Sequence, residues 1–199
     1  MTIMPNNSGN ITTGKPNVTG SIFHAPHGTT LPADATTALP AAFENLGFIG
    51  EDGVKNPMES STSDIKEGGG KTVLTTLDES SDKFSVVLIE ALRAEVLKRV
   101  FGDQNVTVND TTGNIAIAVD TSYERPEGVW VFEILLTKNR IKRIVVPQGK
   151  IVSVSEVTYV RNEPVGYEIE IATSPDAANK THYEYIAMSA EPEGQENVG

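Results

Sequence analysis

The sequence of 199 residues has no cysteine, few aromatic residues and no long apolar segment. The absence of cysteine excludes disulfide bonds, thiol catalysis and cysteine-ligated metal sites. No apolar run approaches the roughly 20 residues that a membrane-spanning helix requires, and the start MTIMPNN lacks the apolar core of a signal peptide. We therefore expect a soluble protein that is made in the cytoplasm and has no membrane partner.

Basic residues are also scarce, because 16 Lys and Arg stand against 27 Asp and Glu and leave a formal charge of -11. A charge of this sign argues against simple binding to duplex phosphates or to an anionic membrane. β-branched residues are abundant, with 20 Val, 15 Ile and 20 Thr against 10 Leu. Because such residues suit the pleated surface of a sheet, the composition predicts a mainly β fold in one domain.

Composition divides the chain into a central domain and two terminal segments. Residues 1–18 and 188–199 are polar and aperiodic, which predicts a flexible N-terminal arm and an acidic, flexible C-terminal tail. The single domain then spans residues 19–187. Within it, residues 51–70 carry almost no large apolar side chain and predict a long loop. A loop of this length in a compact domain usually has a function.

Local patterns predict a hairpin followed by a helix. The strand KTVLTTLD, the turn ESSD and the strand KFSVVLIE predict a hairpin over residues 71–90. Both faces of the second strand carry apolar groups, so we expect it to be covered twice. Residues 91–101 switch to the helical period and place Leu92, Val96 and Val100 on one buried face.

From residue 114 onward, the sequence predicts a meander of short strands. Apolar segments alternate with turn residues, including a predicted corner at residues 138–140 and a predicted break at residues 147–149. In the segment at 166–174, Ile169 alternates with Glu168 and predicts one dry and one wet face. This spacing is typical of a sandwich or barrel.

Catalytic and metal-binding patterns are incomplete throughout the sequence. GGGKT at residues 68–72 lacks the first glycine of a phosphate-binding loop and precedes a predicted strand, so we interpret it as a hinge. His24 and His27 flank a turn without a third ligand, and His182 is isolated on a predicted strand surface. The serine-rich stretch 60–63 has no nucleophile-elbow pattern. We therefore predict no catalytic residue, no metal site and no cofactor.

A run of basic residues stands out on this acidic chain. It comprises Lys138, Arg140, Lys142 and Arg143. One interpretation is a solvated hairpin corner, since charged turns are ordinary. The alternative is an intersubunit basic patch that faces an acidic surface of another copy. A nucleic-acid site is the weakest interpretation, because no aromatic residues are interleaved with these charges.

Three stretches carry a resemblance to a known family. They are TGSIFHAPHGTTLPADATTALPAAFENLGFIGEDGVKN at 19–56, FSVVLIEALRAEVLKRVFGDQNV at 84–106, and KRIVVPQGKIVSVSEVTYVRNEPVGYEIEIATSPDAANKTHYEY at 142–185. In their order and joint presence they resemble the major tail tube protein of long-tailed, non-contractile (siphovirus-type) bacteriophages. The resemblance covers most of the chain.

This resemblance implies a tail-tube-type β-sandwich or barrel with one packed helix and no enzymatic activity. Six copies would form a ring, and rings would stack into the hollow tube of a virion tail. Double-stranded DNA would pass through the lumen without specific binding. Further implied partners are the tape measure, tail tip and tail terminator proteins, and synthesis would take place in the host cytoplasm.

Two sets of site residues follow for such a tube. We expect the loop 51–70 to contribute to ring stacking, chiefly through Asp52, Val54, Lys55, Asn56, Met58 and Glu59. We expect the hairpin 71–90 to line the channel with Thr76, Asp78 and Ser85 facing inward, because alternation along a strand gathers polar groups on one face.

Two other classes of function stay open at this point. A non-catalytic β-sandwich module, such as a carbohydrate-binding or head-decoration protein, predicts discrete small oligomers and an exposed aromatic platform. Aromatic residues make up only 6% of the chain, so no such platform is visible. An enzyme with a scattered site predicts titratable groups that converge only in the fold.

Overall fold

The computed structural model of the protein describes residues 6–17, 20–162 and 164–188, with the backbone alone at residues 77–79. Strands dominate this part of the chain, as the composition predicts, and an α-helix, α1, spans Ala94–Phe101. The strands within the described residues are β1 (Gly14–Pro16), β2 (Ile22–Pro26), β3 (Glu44–Asn45), β4 (Ile49–Lys55), β5 (Met58–Lys66), β6 (Thr72–Leu88), β7 (Val106–Asn109), β8 (Asn114–Ile117), β9 (Gly128–Leu136), β10 (Arg140–Val154), β11 (Tyr167–Thr173) and β12 (Tyr183–Met188).

Most strands belong to one antiparallel sheet with the order β3-β2-β9-β10-β11-β6-β4. Beside this path β1 pairs with β9, β12 with β10 and β5 with β6, while β7 and β8 pair separately. The sheet folds over itself because β10 changes partners. Its residues 140–145 pair with β9 and β12, whereas residues 149–154 pair with β11. Two layers result, and the rings of Phe84 and Phe132 stack between them with centroids 5.1 Å apart.

The predicted break at residues 147–149 is wrong, because these residues lie inside β10. The register of β10 against β9 shifts between Val146 and Gly149. Pro147 has no N–H to donate to a ladder, and such an irregularity accommodates it. The chain therefore bends from one layer into the next instead of turning back.

The core lies between the two layers and extends over the outside of β9. Trp130 and Phe132 of β9 face Phe84 and Ile171 in the main cluster. The alternate residues of β9, including Val131, are buried under a second cluster. Because both faces of β9 are covered, its sequence is almost continuously apolar.

The predicted helix is confirmed as α1, although it begins later than the sequence indicated. Val96 and Val100 are buried in the core cluster, and the N–H of Gly102 bonds to Lys98 O as the helix ends. The positive φ of Gly102, 101°, suits a helix terminus that glycine occupies without strain. Leu92 was predicted on the buried face, but it precedes the helix and is 90% exposed.

The predicted hairpin 71–90 and the predicted loop 51–70 are both wrong. Residues 72–88 form one continuous strand, β6, and β5 pairs antiparallel with its first half. The turn occurs at residues 67–71, where Gly70 has a φ of 85°. Tight hairpin turns favour residues with positive φ, which the GGG segment supplies and ESSD lacks.

Further predictions concern the alternation in β11, the corner at residues 138–140 and the two terminal segments. The alternation in β11 is confirmed, since Ile169 is fully buried and Glu168 is exposed. The corner at residues 138–140 is also confirmed, because Lys138 and Asn139 both have positive φ, as a two-residue hairpin turn requires. The flexible N-terminal arm is wrong for residues 14–16, which form β1. The predicted tail 188–199 lies outside the described residues apart from Met188.

Candidate assembly surfaces

A long two-stranded arm is the most exposed feature of the structure. It consists of residues 58–82, in which β5 pairs with β6 from Met58 opposite Asp82 to Lys66 opposite Thr72. Every residue of β5 is exposed. Of the residues predicted for stacking, Met58 and Glu59 lie at the base of this arm, Asn56 precedes it, and Asp52, Val54 and Lys55 lie in β4.

The base of the arm is fastened to the body by hydrogen bonds around Asp82. Its two carboxylate oxygens contact Asn56 Nδ2 at 2.7 Å and His182 Nδ1 at 2.5 Å. Asn56 also donates to Lys83 O at 2.8 Å, and Thr173 donates to Asp82 O at 2.9 Å. His182 was predicted as an isolated surface residue, and this prediction is wrong because its ring contacts both Asp82 and the core.

Acid should weaken this fastening. Burial would raise the pKa of Asp82, but hydrogen bonds from Thr181, Asn56 and His182 and the charge of His182 outweigh it and lower that pKa. A lowered folded-state pKa means that the stabilisation is complete above the ordinary pKa of about 4 and is lost as the pH falls below it.

We therefore expect Asp82→Asn to lower the free energy of unfolding at pH 7 by about 1.5 to 3 kcal/mol, the usual contribution of hydrogen bonds to a charged group. The deficit should shrink at pH 3, because the unfolded wild-type chain is largely protonated at Asp82 there and the folded protein thereby loses part of the same stabilisation. Urea unfolding at both pH values measures this, with Asp110→Asn in an exposed loop as the control. An equal deficit at both pH values would contradict the assignment.

The arm also exposes apolar side chains. Ile65 is 50% exposed, Val73 60% and Leu74 53%, all near the tip, while Met58 at the base is 69% exposed. An isolated two-stranded hairpin is at best marginally stable in water, and grouped apolar side chains on a surface mark interaction sites. The arm is therefore a candidate surface for contact with another molecule.

A second candidate surface is the outer face of the four-stranded layer, which we define as β4, the second half of β6, β11 and the second half of β10. One face of β6 is buried through Phe84, Val86 and Leu88, whereas Val87 is only half-buried on the other face. Beside Ser85 on this outer face, Lys83 Nζ lies 3.0 Å from Glu170. None of the described residues supplies the second cover that the sequence predicts for this strand.

The predicted channel residues separate between the arm and the layer. Thr76 lies in the arm opposite Ser63, and Ser85 lies in the layer opposite Glu170. β6 has one extra residue relative to β5, at position 78. This bulge reverses the alternation of side chains, so Thr76 before it and Ser85 after it lie on the same face of β6. The prediction for Asp78 concerns a side chain outside the described residues.

The same layer ends in two open edges. Within the described residues, β4 pairs only with β6, and β10 pairs only with β11 from residue 150 onward. Both strands therefore present unpaired N–H and C=O groups. Open edges of this kind are ready to pair with a strand of another chain.

The predicted basic patch is wrong for Arg143. Its side chain is 4% exposed and bonds to Glu133 Oε1 through Nε at 3.0 Å and through Nη2 at 2.6 Å. Its Nη1 donates to Asp34 O and Thr37 O, which fastens the loop over β9 and β10. Lys142 pairs with Glu184 at 2.7 Å, and Arg140 and Lys138 remain exposed.

The remaining chemical candidates have structural partners. Burial, and secondarily the charge of Arg99, lower the pKa of His24 to about 3, so its ring is neutral at pH 7 beside Trp130. In the adjoining small cleft, Arg99 pairs with Asp103. Among the residues that the structure describes, no group of three or more His, Asp or Glu could hold a metal ion. The described helices include none that is long and apolar enough to cross a bilayer.

Comparisons with known proteins identify the family of the chain. A family model described as phage tail tube protein matches residues 4–195. Among solved structures, the tail of an empty GTA particle, computed with helical refinement in C6 symmetry, is similar to 88% of this chain and 100% of that chain, with 14% identity and a TM-score of 0.38. No curated protein matches the chain. Because the family model covers nearly the whole sequence, the chain belongs to the phage tail tube protein family.

Proposed function

We propose that the protein is the structural subunit of a hollow phage tail tube, in which six-membered rings stack and double-stranded DNA passes through the lumen. Membership of the tail tube family supports a structural role in the virion tail. The observation that carries the finer proposal is the four-stranded layer, which within the described residues has two open edges and an uncovered outer face. The described part of one chain leaves this layer incomplete.

The open edges account for the ring. In the proposed assembly, β4 of one copy pairs with the second half of β10 in the next copy around the axis. Repetition closes the layers into one barrel, and closure removes every exposed edge. The number of six copies follows from the family resemblance and not from this geometry.

The outer face of the layer then lines the channel. We place two described residues on the wall, Ser85 in the layer and Thr76 on the arm. We place position 78 there as well. By the strand register, Lys83, Lys55 and Lys150 lie on this face. They pair, in that order, with Glu170, Asp52 and Glu124. On a chain of charge -11 few cations are free to hold phosphates. Weak phosphate binding suits a conduit along which DNA must slide.

The arm accounts for stacking between rings. Met58 and Glu59 at its base project from the body with the rest of β5, whereas Asp52 and Lys55 pair with each other at 2.6 Å on the edge strand β4. Asn56 lies between β4 and the arm and holds this junction through its hydrogen bond to Asp82. We assign Lys138, Arg140 and Lys142 to a contact with an acidic surface of another copy, and we leave Arg143 out because it is buried.

The proposed partners follow from the same role. They are further copies of the chain, the tape measure, tail tip and tail terminator proteins, and DNA without specific binding. The subunit is made in the host cytoplasm and acts without cofactor or catalysis in the virion tail.

Negative-stain microscopy of the purified protein at rising concentration tests the proposal. We expect filaments with a central channel and an axial repeat of rings. A head-decoration or binding module would instead give discrete small oligomers at every concentration. That outcome would exclude the tube.

A lysine on the channel wall should slow DNA. We expect Ser85→Lys to form tubes of normal appearance whose particles eject DNA more slowly, because each ring would add cations that engage phosphate. The delay should shorten as salt rises, since phosphate contacts are screened. Thr111→Lys, in an exposed turn, is the matched control. Unchanged ejection from tubes shown to contain Ser85→Lys would remove Ser85 from the wall.

A further inference from the structure

Two apolar surfaces lie at opposite ends of β6. We call residues 65–74 the arm tip, and we call residues 46–51 with 89–95 the far end. β6 begins in the arm tip at Thr72 and runs without interruption to Leu88, where it pairs with Ile49 of the far end. Over about 15 residues at roughly 3.3 Å each, the two surfaces are about 50 Å apart along the strand.

The arm tip presents a compact apolar group. Ile65 lies directly opposite Leu74 in the β5–β6 ladder, and Val73 is their neighbour. All three side chains are at least 50% exposed. No described residue of the same chain covers them, so their burial requires another molecule.

The far end presents two exposed apolar side chains on hydrogen-bonded segments of backbone. Leu92 is 90% exposed and Phe48 is 53% exposed. The two segments that carry them are tied together, since Ile89 N donates to Phe48 O at 3.2 Å and Phe48 N donates to Glu90 Oε1 at 2.8 Å. Arg93 pairs with the same Glu90 at 2.9 Å. The exposure of Leu92 is therefore a property of an ordered turn.

The local charges of the two surfaces are opposite. The arm tip carries Lys66, Lys71 and Glu67, a net charge of +1 on an otherwise acidic arm. The far end carries Glu51, Glu90, Glu95 and Arg93, a net charge of -2. Attraction between them favours approach in one register and disfavours contact between two arm tips or two far ends.

We propose that the arm tip of one copy packs on the far end of a copy in the next ring, with Ile65, Val73 and Leu74 against Phe48 and Leu92. The inference rests on the proposed stacking of rings and names the surface that receives the arm. Because donor and acceptor lie at opposite ends of one strand, the contact is heterologous and repeats head to tail. Such contacts generate open filaments.

Disulfide trapping tests the contact, and the cysteine-free chain makes it specific. In tubes of the double variant Val73→Cys/Leu92→Cys, we expect oxidation to produce a ladder of covalent multimers in denaturing gels. Within one chain the two sites are about 50 Å apart, far beyond the roughly 4 to 7 Å between the Cα atoms of a disulfide. Each single variant should give dimers at most.

The matched control is Val73→Cys/Val119→Cys, because Val119 is also 60% exposed but lies in the loop after β8. A ladder from this pair, or none from Val73→Cys/Leu92→Cys in tubes of normal appearance, would overturn the contact while leaving the tube in place. Wild-type protein that forms no filaments would remove the proposed function and the contact together.

A second measurement is independent of cysteine chemistry. Leu92→Asp should raise the concentration needed for filament assembly roughly tenfold to hundredfold, the factor expected from losing one buried leucine side chain. Its melting should match wild type, because Leu92 is exposed in the free subunit. Assembly at the wild-type concentration would contradict the contact.

Discussion

Removal of the arm abolishes tube assembly and leaves the free subunit folded: this is the expected result of joining Met58 to Asp82 through an Asn-Gly turn in place of residues 59–81. Met58 and Asp82 lie directly opposite each other in the ladder, so a two-residue turn can connect them. The deleted residues of β5 are exposed throughout and contribute little apolar burial to the subunit. Asn56 and His182 would still hold Asp82.

Thermal melting tests whether the shortened subunit folds, and microscopy tests whether it forms filaments. The shortened subunit should melt cooperatively within a few degrees of wild type and should form no filaments at concentrations where wild type does. Mixed with wild type, it should shorten the filaments, because a copy without an arm ends a stack. Loss of cooperative melting would show that the arm belongs to the folding unit, and normal tubes would show that stacking uses another surface.

A charged side chain on the buried face of α1 should have the largest effect on the free energy of unfolding. Val96 is fully buried in the main cluster, so Val96→Asp loses about 1.5 to 3 kcal/mol of side-chain burial and adds a carboxylate without a partner. An unpaired buried charge costs several kcal/mol more. The sum approaches the 5 to 15 kcal/mol that usually stabilises a domain, and we expect no folded subunit at 37 °C.

Leu92→Asp is the matched control for this prediction, since the same charge enters four residues earlier at a position that is 90% exposed. Circular dichroism during heating should show a wild-type transition for Leu92→Asp and none for Val96→Asp. If Val96→Asp melts like wild type and only fails to assemble, the buried face of α1 would instead belong to a contact between copies.

Sequence patterns located the elements that bury one face. The helical period placed Val96 and Val100 in the core, and alternation placed Ile169 inside and Glu168 outside. Both inferences work because a period of 3.6 or 2 records which side of an element meets apolar neighbours. Leu92 fits the same helical period, but the chain enters the helix only at Ala94 and carries Leu92 outward.

The arm could not be predicted in the same way. Both faces of β5 are exposed, so its sequence has no hydrophobic alternation to reveal a strand. Low apolar content did indicate that residues 58–66 are exposed, and their role outside the monomer stays a prediction. The strand itself exists because β6 extends past the body and offers β5 a ladder of backbone hydrogen bonds.

The basic residues at 138–143 illustrate what the sequence determines and what only the tertiary structure decides. Sequence alone determined the mainly β composition, the helix, the acidic charge and the family resemblance, because each is written in local or summed residue properties. Only the tertiary structure decided that Arg143 is buried while Arg140 is exposed, since the register of β9 on β10 places Glu133 opposite Arg143. Pairing between distant strands fixes such partners, and neighbouring residues in the sequence carry no record of it.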